Sequence, residues 1–424
     1  MFYLKLCAMG NYIHSIKNGS TSFVFDNNKM ELYSADSFNE AKFVLPKDML
    51  KHKNLDLPFS HKMKRITLCV SNDCDLRCRY CYAQGGNYGL NRLLMNRKTA
   101  LDFVDFCYRE LAELDNVMFF GGEPLLNWKI IMFICEEFSK RQVAGGHLNP
   151  KFSMVTNGTI YNDKIYQLIR KYICDITVSV DGKEDVDNYN RIYPNGAGSF
   201  GRVSRFIYKV KKIEGVNLHF EATYTKIHEK FGYTRYDVKK YLTSHFGITG
   251  TVVDDTSLDF NSFYKELSSI TKEKILSSDF DCLPNDFWQI LYSIAEKKKQ
   301  KFCSVLEDRI TISTIGEIFA CQMLNGKKKC IAGTIYDRDI LERIYSNRIL
   351  FGKNESCDAC WANSLCGGCV VQKFYDEQSG LLNDTPRQAL CTNIRNGIEK
   401  LLSILYQIRN DSELWHRLLH KMAS

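Results

Sequence analysis

Two hydrophobic periods alternate along the middle of the chain. Between residues 64 and 260 six short β-rich runs appear: "RITLCVS", "NVMFFGGEP", "KFSMVTNGT", "DITVSVDG", "VNLHFEATYT" and "ITGTVVDD". The segments between them carry apolar residues every three or four positions, the helical period. In "KTALDFVDFCYRELAEL" the stripe is Leu101, Val104, Tyr108, Leu111 and Ala112. Parallel strands need crossover connections long enough for a helix, so the pattern predicts a parallel sheet. Six units fall short of the eight that close a barrel. The expectation is an α/β fold, an open partial (β/α)6 barrel, with its chemistry at the carboxyl ends of the strands.

The flanks differ. Residues 1–63 contain "NYIHSI", "TSFVFD" and "MELYSA", separated by Asn18-Gly19 and Asn27-Asn28, which predicts a small N-terminal β-rich module. Residues 261–302 read as a polar helical linker. Residues 303–395 lose the helical period to cysteines, glycines and turns, and 396–424 return to helix. No stretch reaches ~18 uninterrupted apolar residues, so no membrane span is expected. Residues 1–10 lack the pattern of a signal peptide. The net charge of +8 is spread in short lysine runs such as 297–299 and 327–329. These read as solvated loops or as a mildly basic face for an acidic peptide segment, and nothing resembles a nucleic-acid module.

The 17 cysteines change the picture most. A secreted disulfide scaffold would be short and signal-bearing, so a reducing cytoplasm with metal-bound thiolates is the better reading. Cys74, Cys78 and Cys81 form C-x3-C-x2-C directly after the first strand. Cys303, Cys321, Cys330, Cys357, Cys360, Cys366, Cys369 and Cys391 form a second group. Cys107 and Cys135 lie in helical patterns, as small hydrophobes. Thiolates hold zinc or iron–sulfur clusters. A structural zinc site wants a fourth ligand, and no Cys or His follows soon after Cys81. A [4Fe–4S] cluster on three thiolates leaves one iron open to a substrate.

The first loop resembles that of the radical SAM superfamily, in which the open iron chelates S-adenosylmethionine. The resemblance spans roughly residues 64–395. "GGEP" (Gly121, Gly122, Glu123) ends the second strand, "TNGT" (Thr156, Asn157) the third and "SVDG" (Ser179, Asp181) the fourth. The resemblance implies that Glu123 meets the methionine ammonium, that the hydroxyl and carboxylate groups meet the ribose and carboxylate, and that Arg191 pairs with the cofactor carboxylate. It places Tyr82 near adenine. It also implies homolysis of the sulfonium to a 5′-deoxyadenosyl radical, with an external one-electron reductant of flavodoxin or ferredoxin type.

The second group resembles the SPASM extension of radical SAM enzymes, which carries two auxiliary [4Fe–4S] clusters, three in all. The implied outer ligands are Cys357, Cys360, Cys366 and Cys391. The implied inner ligands are Cys303, Cys321 and Cys369, with Cys282, Cys330 or substrate in the fourth place. The gap between Cys366 and Cys369 is two residues where the family pattern has three. Peptide maturases that form thioethers, anaerobic sulfatase-maturating enzymes and a non-catalytic electron carrier compete for the function. The open iron, GGEP and Arg191 disfavour a carrier. The loop "YAQGGNYG" and Gln322 after Cys321, where sulfatase maturation has an acidic base, favour a thioether maturase acting on a short cysteine-bearing precursor peptide with a leader. Residues 1–63 then suit a shortened leader-recognition element taking the leader on a strand edge.

Overall fold

The computed structural model describes residues 13–18, 21–34, 61–255, 260–300, 303–347 and 355–423. Strands β1 (Ile13–Asn18), β2 (Thr21–Asp26) and β3 (Glu31–Ser34) form an antiparallel meander. The segments "DSFNEAKFVL" and "PKDMLKHKNLDLP" lie outside the described residues. The short strands β4 (Lys62–Met63) and β6 (Glu113–Leu114) pair with each other beside the main sheet. That sheet is built on β5 (Arg65–Ser71), β7 (Asn116–Gly121), β8 (Lys151–Thr156), β9 (Ile173–Ser179), β10 (Asn217–Tyr224) and β11 (Thr249–Asp254). All six are parallel and adjacent in chain order.

Helices cross between them as the periodicity predicts, at Arg97–Glu110, Trp128–Val143, Asp163–Tyr172, Phe200–Val210 and Arg235–Phe246. Their buried stripes pack on one face of the sheet in a single core that holds Ile66, Leu68, Val70, Phe103, Phe119, Phe138, Ile176 and Phe206. Because strand side chains alternate, Arg65, Thr67 and Cys69 project from the opposite face of β5. The same alternation puts the buried Thr311 and Ser313 on that side.

The sheet does not stop at the barrel. Strand β12 (Arg309–Ile312) pairs parallel with β5, and β13 (Glu317–Phe319) and β14 (Gly333–Thr334) follow as antiparallel neighbours. The cysteine-rich segment therefore adds three strands to the barrel's edge, giving nine in one mixed sheet. The boundary drawn before residue 303 falls inside a continuous sheet. Strands of two to four residues are too short to show a period, which is why the sequence reads as irregular there. A last hairpin joins β15 (Tyr375–Asp376) to β16 (Leu381–Leu382).

The meander packs away from the barrel. Ile16, Phe23, Phe25 and Leu32 share a core with the helices Lys272–Ser278, Asn285–Glu296 and Gln388–Asn410. Phe23 stacks on Tyr406 at 4.4 Å, His14 stacks on Trp361 at 3.8 Å, and Asn27 Oδ1 accepts the Ser364 N–H at 2.9 Å. On β3, Arg409 donates to the Leu32 carbonyl at 2.9 Å. Among the described residues no helix is long and apolar enough to cross a membrane.

Candidate active site

The thiol loop leaves β5 at Ser71 and is held by its neighbours at close quarters. Asp73 Oδ1 caps the Cys74 N–H at 2.8 Å, and Arg77 returns its guanidinium to the Cys74 and Leu76 carbonyls at 2.6 Å each. The loop docks on residues 190–192 through Arg77 N–H to the Ile192 carbonyl (2.6 Å) and Arg79 N–H to the Asn190 carbonyl (2.9 Å). Glycines make the approach possible. At Gly86 (φ +93°) a Cβ would stand 2.6 Å from Cys74 Cβ, and at Gly122 it would stand 2.2 Å from the Asp73 carbonyl oxygen. Gly121 combines φ +140° with a virtual Cβ 2.2 Å from the Ser71 carbonyl oxygen. Gly121→Ala is therefore expected to lose about 1–3 kcal/mol from backbone strain alone. Urea unfolding of the apoprotein measures this, and a midpoint equal to that of the unaltered chain would contradict it.

Cys74, Cys78 and Cys81 are half-buried and lie within electrostatic reach along the loop. Burial pushes the Cys78 thiol up to about 11 and Cys74 well above the usual thiol range, so both are protonated until a metal displaces the proton. The Leu76 N–H and the Asn157 side-chain amide point at Cys74 Sγ, at 3.4 and 3.6 Å. Such donors tune a thiolate-bound cluster. Among the described residues no three Cys, His, Asp or Glu side chains are arranged to grip one ion. Three thiols on one loop, with two amide donors on Cys74 Sγ, fit a cluster ligand set better than a single-ion site.

The other motif residues stand at the adjoining strand ends. Gly121 ends β7, Thr156 ends β8 and Ser179 ends β9. Glu123 is fully buried and already has three donors: Leu125 N–H (2.9 Å), Thr156 Oγ1 (2.7 Å) and Asn157 N–H (2.7 Å). Desolvation pushes its carboxyl up to about 7 against those bonds. Asp181 accepts from Tyr80 Oη at 3.0 Å and from the Thr223 N–H at 3.1 Å. Arg191, 5% exposed, donates to Tyr80 Oη at 2.6 Å and lies 4.0 Å from Asp181. Asp187 accepts the Asp181 N–H at 2.8 Å, and His228 bonds the Asp181 carbonyl at 2.7 Å. Asp181 Oδ2, Asp187 Oδ2 and Arg191 Nε are buried with no hydrogen-bond partner among the described residues. Polar atoms left open beside Cys78 fit a polar ligand there.

The sequence reading missed Tyr80, Asp187 and His228. Tyr80 sits between Cys78 and Cys81, and its place in the motif was a usable signal. Asp187 and His228 carry no local signal, since only the sheet brings them to Asp181. Tyr82 is 46% exposed, with its ring 6.1 Å from Tyr88.

The second cysteine group divides in space. Cys303 and Cys369 are electrostatic neighbours of Cys321, near Arg65, and the Cys303 N–H bonds the Gly368 carbonyl at 3.2 Å. Cys391, on the helix Gln388–Asn410, is an electrostatic neighbour of Cys360 and Cys366. Cys357 lies in the short helix Glu355–Asp358, and the Cys360 N–H bonds its carbonyl at 3.1 Å. Cys282 borders a cavity, whereas Cys330 turns its thiol to the Gly380 carbonyl at 3.3 Å. The Cys321 thiol bonds Gln322 Oε1 at 3.3 Å. The cavity measures about 960 Å³, and its wall includes Tyr82, Val252, Asp286, Met323, Cys369 and Tyr375.

Residues 68–223 match the family model of the Radical SAM superfamily. The chain carries a radical SAM domain. It is 24% identical over 349 residues to the radical SAM cyclopropyl synthase TigE of Paramaledivibacter caminithermalis, spanning 74% of this chain and 70% of that protein. It is 23% identical over 341 residues to a cysteine-type anaerobic sulfatase-maturating enzyme of Clostridium perfringens, spanning 74% and 90%. Among solved structures, native anSMEcpe with bound AdoMet aligns at a TM-score of 0.63 and 19% identity, over 82% of this chain and all of that one. That last likeness is one of fold. The radical SAM domain implies S-adenosylmethionine and a [4Fe–4S] cluster, which the thiol loop fits.

Proposed function

We propose that this chain is a cytoplasmic radical SAM maturase that forms sulfur-to-carbon thioethers in a short, ribosomally made, cysteine-bearing peptide. The observation that carries the reading is the cavity of about 960 Å³, which reaches from Tyr82, next to Cys81, to Cys369 of the inner cysteine group. A space of that size, running from Tyr82 beside the thiol loop to Cys369 of the inner group, suits a peptide segment better than a single small metabolite.

Cys74, Cys78 and Cys81 would hold the first [4Fe–4S] cluster. Cys303, Cys321 and Cys369 would hold an inner auxiliary cluster, and Cys357, Cys360, Cys366 and Cys391 an outer one. S-adenosylmethionine held with the first cluster would supply the one-electron chemistry that removes a hydrogen atom from a peptide carbon. The chain's own residues position and exclude. Gly121 and Gly122 let the strand end pack against the thiol loop. Glu123 ties the ends of β7 and β8 together, so Thr156 and Asn157 face the loop at a fixed distance. Tyr80 and Asp181 hold Arg191 as the fork for a carboxylate. Ser179 ends β9 beside them. Gln322 at Cys321 leaves the inner group without the acidic base expected for sulfatase maturation. Residues 1–63 are assigned to leader recognition within the same proposal.

Each thioether removes two hydrogens. One leaves as an atom to deoxyadenosine and the other as a thiol proton. The remaining electron passes to an acceptor of flavodoxin or ferredoxin type. Mass spectrometry of the cognate peptide after anaerobic turnover and iodoacetamide tests this. The expected product has lost two hydrogens per link and one alkylatable thiol per link. Loss of two hydrogens with every thiol still alkylatable would overturn the thioether. Exchange of one sulfur for oxygen together with loss of two hydrogens would assign formylglycine formation, the reaction that a resemblance to sulfatase-maturating enzymes implies.

A further inference from the structure

Lys373 is only 4% exposed, on the short helix Val370–Phe374 that starts just after Cys369. Its Nζ donates to Cys366 Sγ at 3.3 Å and also to the Gly367 carbonyl. Cys369, Cys391 and the cavity-wall residue Asp286 all lie within its electrostatic reach. One ammonium therefore sits where the inner and outer thiol groups adjoin. Lysines are rarely buried unless paired, and this one directs an N–H at a cysteine sulfur. Four thiolates around a [4Fe–4S] core carry a net negative charge, and one-electron reduction adds to it. Such a group compensates the ammonium and is compensated by it.

We propose that Lys373 is the counter-cation of the outer cysteine group and raises that group's reduction potential through its charge and its N–H···S bond. The inference rests on the reading that Cys357, Cys360, Cys366 and Cys391 hold a cluster. A nearby cation favours the more negative, reduced state, so its loss moves the midpoint negative. The electron comes from the external reductant, and no protein bond forms or breaks.

The experiment compares the full-length protein with Lys373→Met, which keeps the apolar stem, and Lys373→Arg, which keeps the charge. All are reconstituted anaerobically, assayed for iron and titrated with dithionite under electron paramagnetic resonance. The outer signal is identified as the one lost in Cys391→Ala. All three proteins are expected to hold about twelve irons, four for each of three clusters. At a potential that half-reduces the outer group of the unaltered protein, the reduced-to-oxidised ratio in Lys373→Met is expected to fall about tenfold, about 59 mV for a one-electron couple. Lys373→Arg is expected to restore most of it. Iron lost in Lys373→Met but kept in Lys373→Arg also supports the counter-charge. An unmoved midpoint at full iron overturns the inference, as does equal loss of iron in both variants. A plateau near four irons in the unaltered protein instead overturns the cluster reading beneath it.

Discussion

With Cys74, Cys78 and Cys81 all replaced by Ala, the reconstituted and reduced protein is expected to cleave no S-adenosylmethionine. The three thiols leave a single short loop and lie within electrostatic reach of one another. Iron is expected to fall by about four per chain from about twelve, because the two auxiliary groups draw on residues from Cys303 onward. The loss reads as chemistry because the fold tolerates the change. The thiols are only half-buried and lie outside the main core, and the loop is held mostly by backbone bonds to residues 190–192 and by the close pair Gly86 and Gly122. The assay is chromatographic detection of 5′-deoxyadenosine and methionine under dithionite. Continued cleavage by the triple variant would falsify the assignment of this loop.

Arg191→Ala is expected to cost about 3–5 kcal/mol of stability, the scale of removing one partner from a buried charge group. Asp181 and Asp187 are both fully buried and both lie in the field of this guanidinium. Burial, then the neighbouring Asp181 charge, pushes the Asp187 carboxyl up to about 7 even with Arg191 present. A raised carboxyl means that the folded state binds more protons than the unfolded one between about pH 4 and 7. Its charge therefore costs stability progressively as pH rises through that window, and the cost vanishes below about pH 4. Without Arg191 the window widens upward, so the deficit of Arg191→Ala should be largest above pH 7 and shrink on acidification. Urea midpoints of the apoprotein from pH 5 to 8 measure it. A deficit that stays constant with pH would mean that Arg191 acts by packing alone. Arg191→Lys keeps the charge and should recover part of the stability, but not the planar fork that Tyr80 accepts from.

How much of this was legible in the sequence follows from how local each signal is. The six strands and their crossover helices were legible because each is long enough to show its period, although at Arg97–Glu110 the buried face is Phe103, Val104 and Cys107, while Leu101 and Ala112 of the expected stripe are exposed. The thiol loop was legible because its three cysteines are close in sequence, and so are Gly121 and Gly122, which the turn requires. Tertiary structure alone decided the rest. Strand β12 joins β5 from some 240 residues away, since a four-residue strand has no period and finds its place by pairing. The meander settles on the C-terminal helices because Phe23 and Phe25 need an apolar partner, and its own three strands cannot bury them. Tyr80, Asp181, Asp187, Arg191 and His228 become one network only where β9 and β10 end side by side. Lys373 looks in sequence like any surface lysine, and only the packing of residues 366–391 buries its charge among thiols. Sequence determines what repeats at short range, whereas buried charge and paired edges depend on which distant segments the fold brings together.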